Sequence, residues 1–314
     1  MKKVIIDTDP GIDDAVAIMF ALACGQLEVL AVTAVSGNLQ ADRTSANARK
    51  ILSLVGANSI PVARGPQTPL ARPYPRDPFS HGDDGLANLG LETSMLPEDP
   101  RPAHEVIVDL VNRYPGEITV LGIGPLTNLA LAVQADPKLP QKVDELIIVG
   151  GSYGLDTAGS QRATGDNPVS EWNIYVDPEA AKIVFEAGFR LFAIGLDVAT
   201  HPKIDLSHGH RERLAASPKR SAWFLNGSCQ FVEDRGFGSY CSLIDSLAVA
   251  AALDRTLFSS VHLNVGIETK GELTLGETVV DRREHFRWDH LPIVEVASDV
   301  DVDRFLNLLL QAIA

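Results

Sequence analysis

Short apolar runs at residues 4–6 and 29–35 flank a stretch, 13–23, whose apolar residues recur at helical spacing. Apolar runs that do not alternate with polar residues belong to strands buried on both faces. Strand, helix and strand in that order make a parallel pair joined by a helical crossover. The rhythm continues with a helix over 45–55, a strand at 61–63, a helix over 103–114 and a strand at 118–121. Next come a helix starting near 126, a strand at 146–149, a helix over 178–187 and a strand at 191–194. A mostly helical region over 200–240 and a helix over 246–253 precede two strands, 261–268 and 277–281, that read as a hairpin. A strand at 292–296 and an amphipathic helix over 302–313 close the chain. The predicted fold is α/β, with an open, mostly parallel central sheet flanked by helices. No repeat and no linker-like boundary interrupts it, so residues 1–314 are read as one domain.

Composition narrows the function. The 314 residues are 45% hydrophobic, enough for a full α/β core. The formal charge is −14, and no basic stripe is present for nucleic acid to meet. No apolar run is long enough to span a membrane, and no signal peptide is apparent. Three cysteines, Cys24, Cys229 and Cys241, are odd in number and lack metal-ligand spacing, which points to a reducing, cytoplasmic setting. His201, His208 and His210 read as surface histidines for want of a supporting ligand pattern.

Ligands of open parallel sheets bind beyond the carboxyl ends of the strands. Asp7 and Asp9, Asn38, residues 122–128, Gly150-Gly151 and Asp197 all follow predicted strands. The densest of these stretches is DTDPGIDD (residues 7–14), with carboxylates at Asp7, Asp9, Asp13 and Asp14 around a Pro-Gly turn. A helix N-terminus favours negative charge and offsets part of their repulsion. A hard divalent cation, Ca²⁺ or Mg²⁺, offsets the rest. Simple helix capping accounts for Asp13 or Asp14 but leaves Asp7 and Asp9 without a role. A strand followed by Asp-x-Asp also begins phosphotransferases of the haloacid dehalogenase type. That pattern expects Thr or Val soon after the second Asp, then a Lys and an acidic pair, which this chain does not supply.

DTDPGIDDA (7–15) resembles the signature of the nucleoside hydrolases, the inosine–uridine-preferring N-ribohydrolases. The resemblance extends through AVTAVSGN (31–38), HGDDGL (81–86), LGIGPLTNLA (121–130), GGS (150–152) and EWNIYVDPEAA (171–181). GLDV (195–198), IDSLAVAAALD (244–254) and TKGELTLGETVVD (269–281) carry it across nearly the whole chain. It implies the nucleoside hydrolase fold with its Rossmann-like core, a bound Ca²⁺ and hydrolysis of the N-glycosidic bond of ribonucleosides. Asp9, Asp14, Asp245 and the backbone carbonyl of Ile123 would hold the calcium. Asp9 would take a proton from the attacking water, and Asp13, Asn38 and Asp245 would face the ribose. Glu171 and Asn173, two residues apart in a segment read as extended, would hold the 5′-hydroxyl end. Asp7 would support the site structurally. The resemblance further implies a homodimer or homotetramer. The long stretches 65–102 and 200–240 are expected to close over the base.

Two departures from the family pattern stand out. Many relatives carry His directly before the late Asp, where it protonates the departing base; here that position is Ile244. His81, Tyr240 and Trp223 are the candidates to replace it. Relatives also carry Asn in a Gly-Asn-x-x-Pro stretch, where this chain reads TGDNPVSE (164–171), so Asp166 or Asn167 would take over the ribose contact. The alternative to an enzyme is a non-catalytic, calcium-dependent ribose or nucleoside binder. Retention of Asp9, a base that a binder does not need, argues against it.

Overall fold

The computed structural model describes residues 1–75, 80–156 and 163–314. Its elements are β1 (Lys2–Thr8), α1 (Ile12–Ala23), β2 (Leu27–Ala34), α2 (Ala41–Leu54), β3 (Val62–Arg64) and α3 (Ala103–Arg113). They continue with β4 (Ile118–Gly122), α4 (Thr127–Ala135), α5 (Leu139–Lys142), β5 (Glu145–Val149), α6 (Trp172–Val176) and α7 (Pro178–Glu186). Then follow β6 (Leu191–Ile194), α8 (Leu196–Ala199), α9 (His208–Ala216), α10 (Arg220–Glu233) and α11 (Ser246–Leu253). The last are β7 (Phe258–Ile267), β8 (Thr278–Val280), β9 (Ile293–Val300) and α12 (Val302–Ile313).

The nine strands form one sheet in the order β3-β2-β1-β4-β5-β6-β9-β7-β8. From β3 to β9 every pairing is parallel, while β7 runs antiparallel to both β9 and β8. The expected hairpin is therefore the β7–β8 pair. Alternation along β1 explains the layering: Val4 and Ile6 join the core beneath α1, α11 and α12, and Ile5 joins the opposite core beneath α3, α4 and α7. Helix α1 lies in the middle of one layer and buries every residue from Ile12 to Ala21. Among the described residues no helix is long and apolar enough to cross a membrane.

The chain runs from β1 outward to β3, then returns to place β4 on the other side of β1. This reversal makes the carboxyl ends of β1 and β4 a topological switch point, where the sheet leaves a crevice. The acid loop leaves β1 at that crevice and Ile123 leaves β4 beside it. Ile123 N–H donates to Asp7 O at 2.8 Å, tying the two strand ends together.

Candidate active site

Hydrogen bonds to its own turn hold the acid loop in shape. Asp14, in the first turn of α1, accepts from Thr8 Oγ1, from Asp9 N at 3.1 Å and from Gly11 N at 2.9 Å. A fourth hydrogen bond, from Asn38 Nδ2 at 3.1 Å, fills its acceptor capacity. Asn38, at the end of β2, also donates its backbone N–H to Asp9 Oδ2 at 2.6 Å and its amide to Asp9 O at 3.3 Å. Asp9 Oδ1 is buried and has no partner. The backbone leaves no slack around this carboxylate: a Cβ on Gly37 would lie 2.0 Å from Asp9 Oδ2, and one on Gly124 would lie 2.5 Å from Asp9 Oδ1.

Asp7 lies beneath the loop, fully buried. Its Oδ1 accepts from Thr33 Oγ1 at 2.6 Å and from Asn128 Nδ2 at 2.8 Å, while Oδ2 is unpartnered. Burial pushes its carboxyl up to about 7 against the help of those two donors. Asn128, in the first turn of α4, spends its amide on Asp7 and on Ala34 O, which suits a supporting part.

Asp245 caps the front of α11 without a side-chain capping bond, and so brings a carboxylate to the acid loop from far along the chain. Asp13, Asp14 and Asp245 each offer an oxygen within 4.8 Å of the others, and all three are buried. Asp13, expected on the ribose, thus stands within the same reach as two of the expected ligands. Asp9 and Asp245 are held well above the ordinary carboxylate range, first by burial and then by neighbouring carboxylates. Asp14 is raised for the same two reasons. A metal fits this arrangement: the donors are hard oxygens, Asp9 Oδ1 is open, and among the described residues no Lys or Arg lines the cavity.

Above the acids lies a cavity of about 190 Å³, larger than the ~30 Å³ share of one water, so it admits more than an ion. Asp9, Asp13, Asn38, His81, Ile123, Glu171, Asn173 and Asp245 all line it, so the structure gathers eight of the expected residues at one place. Ile123 O, the expected carbonyl ligand, accepts from Asn173 Nδ2 at 3.1 Å. The same amide donates to Val149 O at 3.0 Å and so spans the ends of β4 and β5.

Three expectations need correction. Glu171 and Asn173 are not in an extended segment: Glu171 is the N-cap of α6 and Asn173 lies in its first turn. Glu171 accepts from Asn173 N at 2.9 Å and Ile174 N at 3.1 Å, as a cap does, and from Gly151 N at 3.0 Å. Asn167 does not line the cavity. Its Oδ1 accepts from Val169 N, Ser170 N and Ser170 Oγ, and its Nδ2 donates to Leu275 O at 2.8 Å, so it folds its own loop. Of the three residues considered for base protonation only His81 lines the cavity. Trp223 instead stacks with Arg220 at the surface, 4.5 Å from guanidinium carbon to ring centre.

His81 accepts from Ile12 N at its Nδ1, 3.0 Å away, which assigns the neutral proton to Nε2. Asp13 Oδ1 lies 3.7 Å from the same Nδ1. Ile12, Leu196, Val232, Phe237, Cys241 and Ile244 form an apolar part of the wall, and Ser80, Thr164 and Trp172 also line it. Residues 65–102 supply His81 and residues 200–240 supply Val232 and Phe237, while 76–79 and 157–162, in two of the loops, lie outside the described residues. The sequence reading missed Cys241, Phe237 and Val232. They lie on no motif; Val232 and Phe237 fall within the stretch 200–240 expected to close over the base, and Cys241 lies just beyond it, beside Ile244 and Asp245 in the chain.

A sequence model of the inosine-uridine preferring nucleoside hydrolases matches residues 4–307. The chain is 35% identical over 314 residues to the pyrimidine-specific ribonucleoside hydrolase RihA of Citrobacter koseri, covering 99% of this chain and 97% of that one. It is 34% identical over 319 residues to the inosine-uridine preferring nucleoside hydrolase of Leishmania major, with the same coverage, 99% and 97%. Among solved structures, the plant nucleoside hydrolase PpNRh1 superposes with a TM-score of 0.88 at 34% identity, covering 99% of this chain and 98% of that one. A purine-preferring ribonucleoside hydrolase from Gardnerella vaginalis superposes with a TM-score of 0.86 at 29% identity and the same coverage, 99% and 98%. With the acid cluster at the switch point and these likenesses spanning its length, the chain belongs to the inosine–uridine preferring nucleoside hydrolase family and is an N-glycosyl hydrolase.

Proposed function

We propose that the chain hydrolyses the N-glycosidic bond of ribonucleosides to free base and ribose, with calcium held in the acid cluster by Asp9, Asp14, Asp245 and the carbonyl of Ile123. The observation that carries the metal assignment is a buried group of acids that, among the described residues, meets no Lys or Arg in the cavity and keeps Asp9 Oδ1 open. When bound, calcium would neutralise the carboxylates and lower the pKa of a neighbouring water. Asp14 has a full complement of hydrogen bonds, so serving as a ligand requires one donor to yield. Asn38 is the donor suited to this, because its side chain can turn towards a ribose hydroxyl without moving the backbone.

In this reading Asp9 takes the proton of the attacking water. Asp13 and Asn38 hold ribose hydroxyls, and Glu171 with Asn173 faces the 5′ end. Bond cleavage builds positive charge on the sugar, which the surrounding carboxylates stabilise. Ile244 offers no proton to the leaving base, and the Nε2–H of His81, which lines the cavity, is assigned that task. A homodimer or homotetramer belongs to the same proposal and is read by light scattering.

The relatives named above include pyrimidine-specific, inosine–uridine-preferring and purine-preferring enzymes, so the test spans both base classes. Reducing-sugar release is measured from inosine, uridine, cytidine, adenosine and guanosine, with and without a strong calcium chelator. Release from at least one, suppressed by the chelator, is expected. Calcium-loaded protein that releases sugar from none of them removes the assignment.

A further inference from the structure

We propose that Asp197, which has no part in the chemistry above, is a positioning residue that sets the 5′-hydroxyl end of the site. The inference rests on the placement of Glu171 at that end. Asp197 lies in α8, at the carboxyl end of β6, and is buried. Its carboxylate is spent on backbone N–H groups of one loop: Oδ2 accepts from Tyr153 N at 2.7 Å, and Oδ1 accepts from Leu155 N at 2.7 Å and Asp156 N at 3.1 Å. Backbone donors that meet a buried anion make strong, charge-assisted bonds and define a fixed turn.

The loop so held begins at the cavity wall. Gly150 lines the cavity, and Gly151 N–H reaches Glu171 Oε2 at 3.0 Å. Two further anchors keep it down. Thr278 Oγ1, on β8, accepts from Ser152 N at 3.0 Å and donates to Ser152 O. The buried ring of Tyr153 donates its hydroxyl to Gly150 O at 3.1 Å. Space for that ring exists because residues 151 and 195 are glycines. A Cβ on Gly195 would lie 2.6 Å from it, and Gly151 has a φ of +83° that other residues rarely adopt. Asp197 therefore acts on Glu171 through the loop and the Gly151 N–H, and it does not line the cavity itself.

A residue that only stabilised the fold would affect all substrates alike. A residue that sets Glu171 affects the contribution of the 5′-hydroxyl. The readout is the ratio of kcat/KM for the best ribonucleoside to kcat/KM for its 5′-deoxy analogue. In Asp197→Asn this ratio is expected to fall about 10- to 100-fold, the worth of a charged hydrogen bond, with the analogue's own kcat/KM little changed. Thr278→Val should lower the ratio in the same direction and Thr278→Ser should keep it, which preserves the test should Asp197→Asn fail to fold. Folded Asp197→Asn with an unchanged ratio, equal losses on both substrates, or an unchanged ratio in Thr278→Val overturns the assignment. A wild-type enzyme that hydrolyses ribonucleosides without distinguishing the 5′-deoxy analogue overturns the placement of Glu171, and this inference with it.

Discussion

Replacing Asp7 by asparagine should change stability with a sign that depends on pH. Asp7 is fully buried and half-partnered: Oδ1 takes two hydrogen bonds and Oδ2 none. Folding raises its carboxyl from an ordinary 3.8 to about 7. For an acid with a raised pKa, the folded state binds the proton more tightly. The penalty for ionising it is absent below the unfolded pKa, grows between the two values and is complete above the folded one. At 1.36 kcal/mol per pKa unit, the penalty is about 4 kcal/mol at pH 8 and between about 1 and 2 kcal/mol at pH 5. Asparagine removes it at both. The new amide nitrogen takes the unpartnered Oδ2 position and loses about 1–3 kcal/mol for want of an acceptor, independently of pH. Asp7→Asn should therefore be near neutral or destabilising at pH 5 and stabilising at pH 8. The difference between the two pH values, about 2–3 kcal/mol, does not depend on the cost of the amide. Urea unfolding of the chelator-treated wild type and variant at both pH values measures it. An equal stability change at pH 5 and pH 8 would refute the claim that Asp7 is a buried, half-partnered acid.

Asp9→Asn keeps the shape of the loop, and is expected to bind a ribose analogue while kcat falls about 10²- to 10⁴-fold; a near-normal kcat removes Asp9 as the base. Gly37→Ala drives a methyl into Asp9 Oδ2. It should lower activity steeply, whereas Gly209→Ala on α9, whose Cβ meets nothing closer than 4.0 Å, should leave activity unchanged. Equal activities would show that the close approach of Gly37 to Asp9 is unimportant. Calcium should raise the melting temperature more at pH 8 than at pH 5.5. The acids raised by burial and mutual repulsion lose their charge as pH falls, and the cation then competes with protons. A calcium shift that grows as pH falls would contradict this.

Much of the architecture was legible because the apolar patterns are strong. Residues 191–194, 246–253 and 302–313 form the elements read from the sequence, with matching limits. Helix α2 instead begins at Ala41, four residues before the periodicity starts. Its first turn is polar, and its Ala41 N–H is met by Ser36 Oγ at 2.8 Å, a tertiary cap that no local pattern reveals. Helix α6 is not legible as a helix because five residues show too little of a helical period, and the cap that starts it, Glu171, also lines the cavity. At the site, the acids announced themselves because crowded carboxylates need a physical reason. The apolar wall of Val232, Phe237 and Cys241 did not, since apolar residues look the same in a core and in a pocket. Asn128 reaches Asp7 across 121 positions, and Asp197 meets its loop some 40 positions away, contacts that exist only once the sheet has formed.

The central claim is that one buried acid cluster both holds calcium and carries out hydrolysis. Its most direct test is to strip the protein with chelator, titrate calcium back, and measure bound metal and ribose release on the same samples. Ribose release that starts near zero and rises in proportion to bound calcium, reaching its plateau at one ion per chain, is the predicted result. Full activity in protein shown to contain no metal would contradict it.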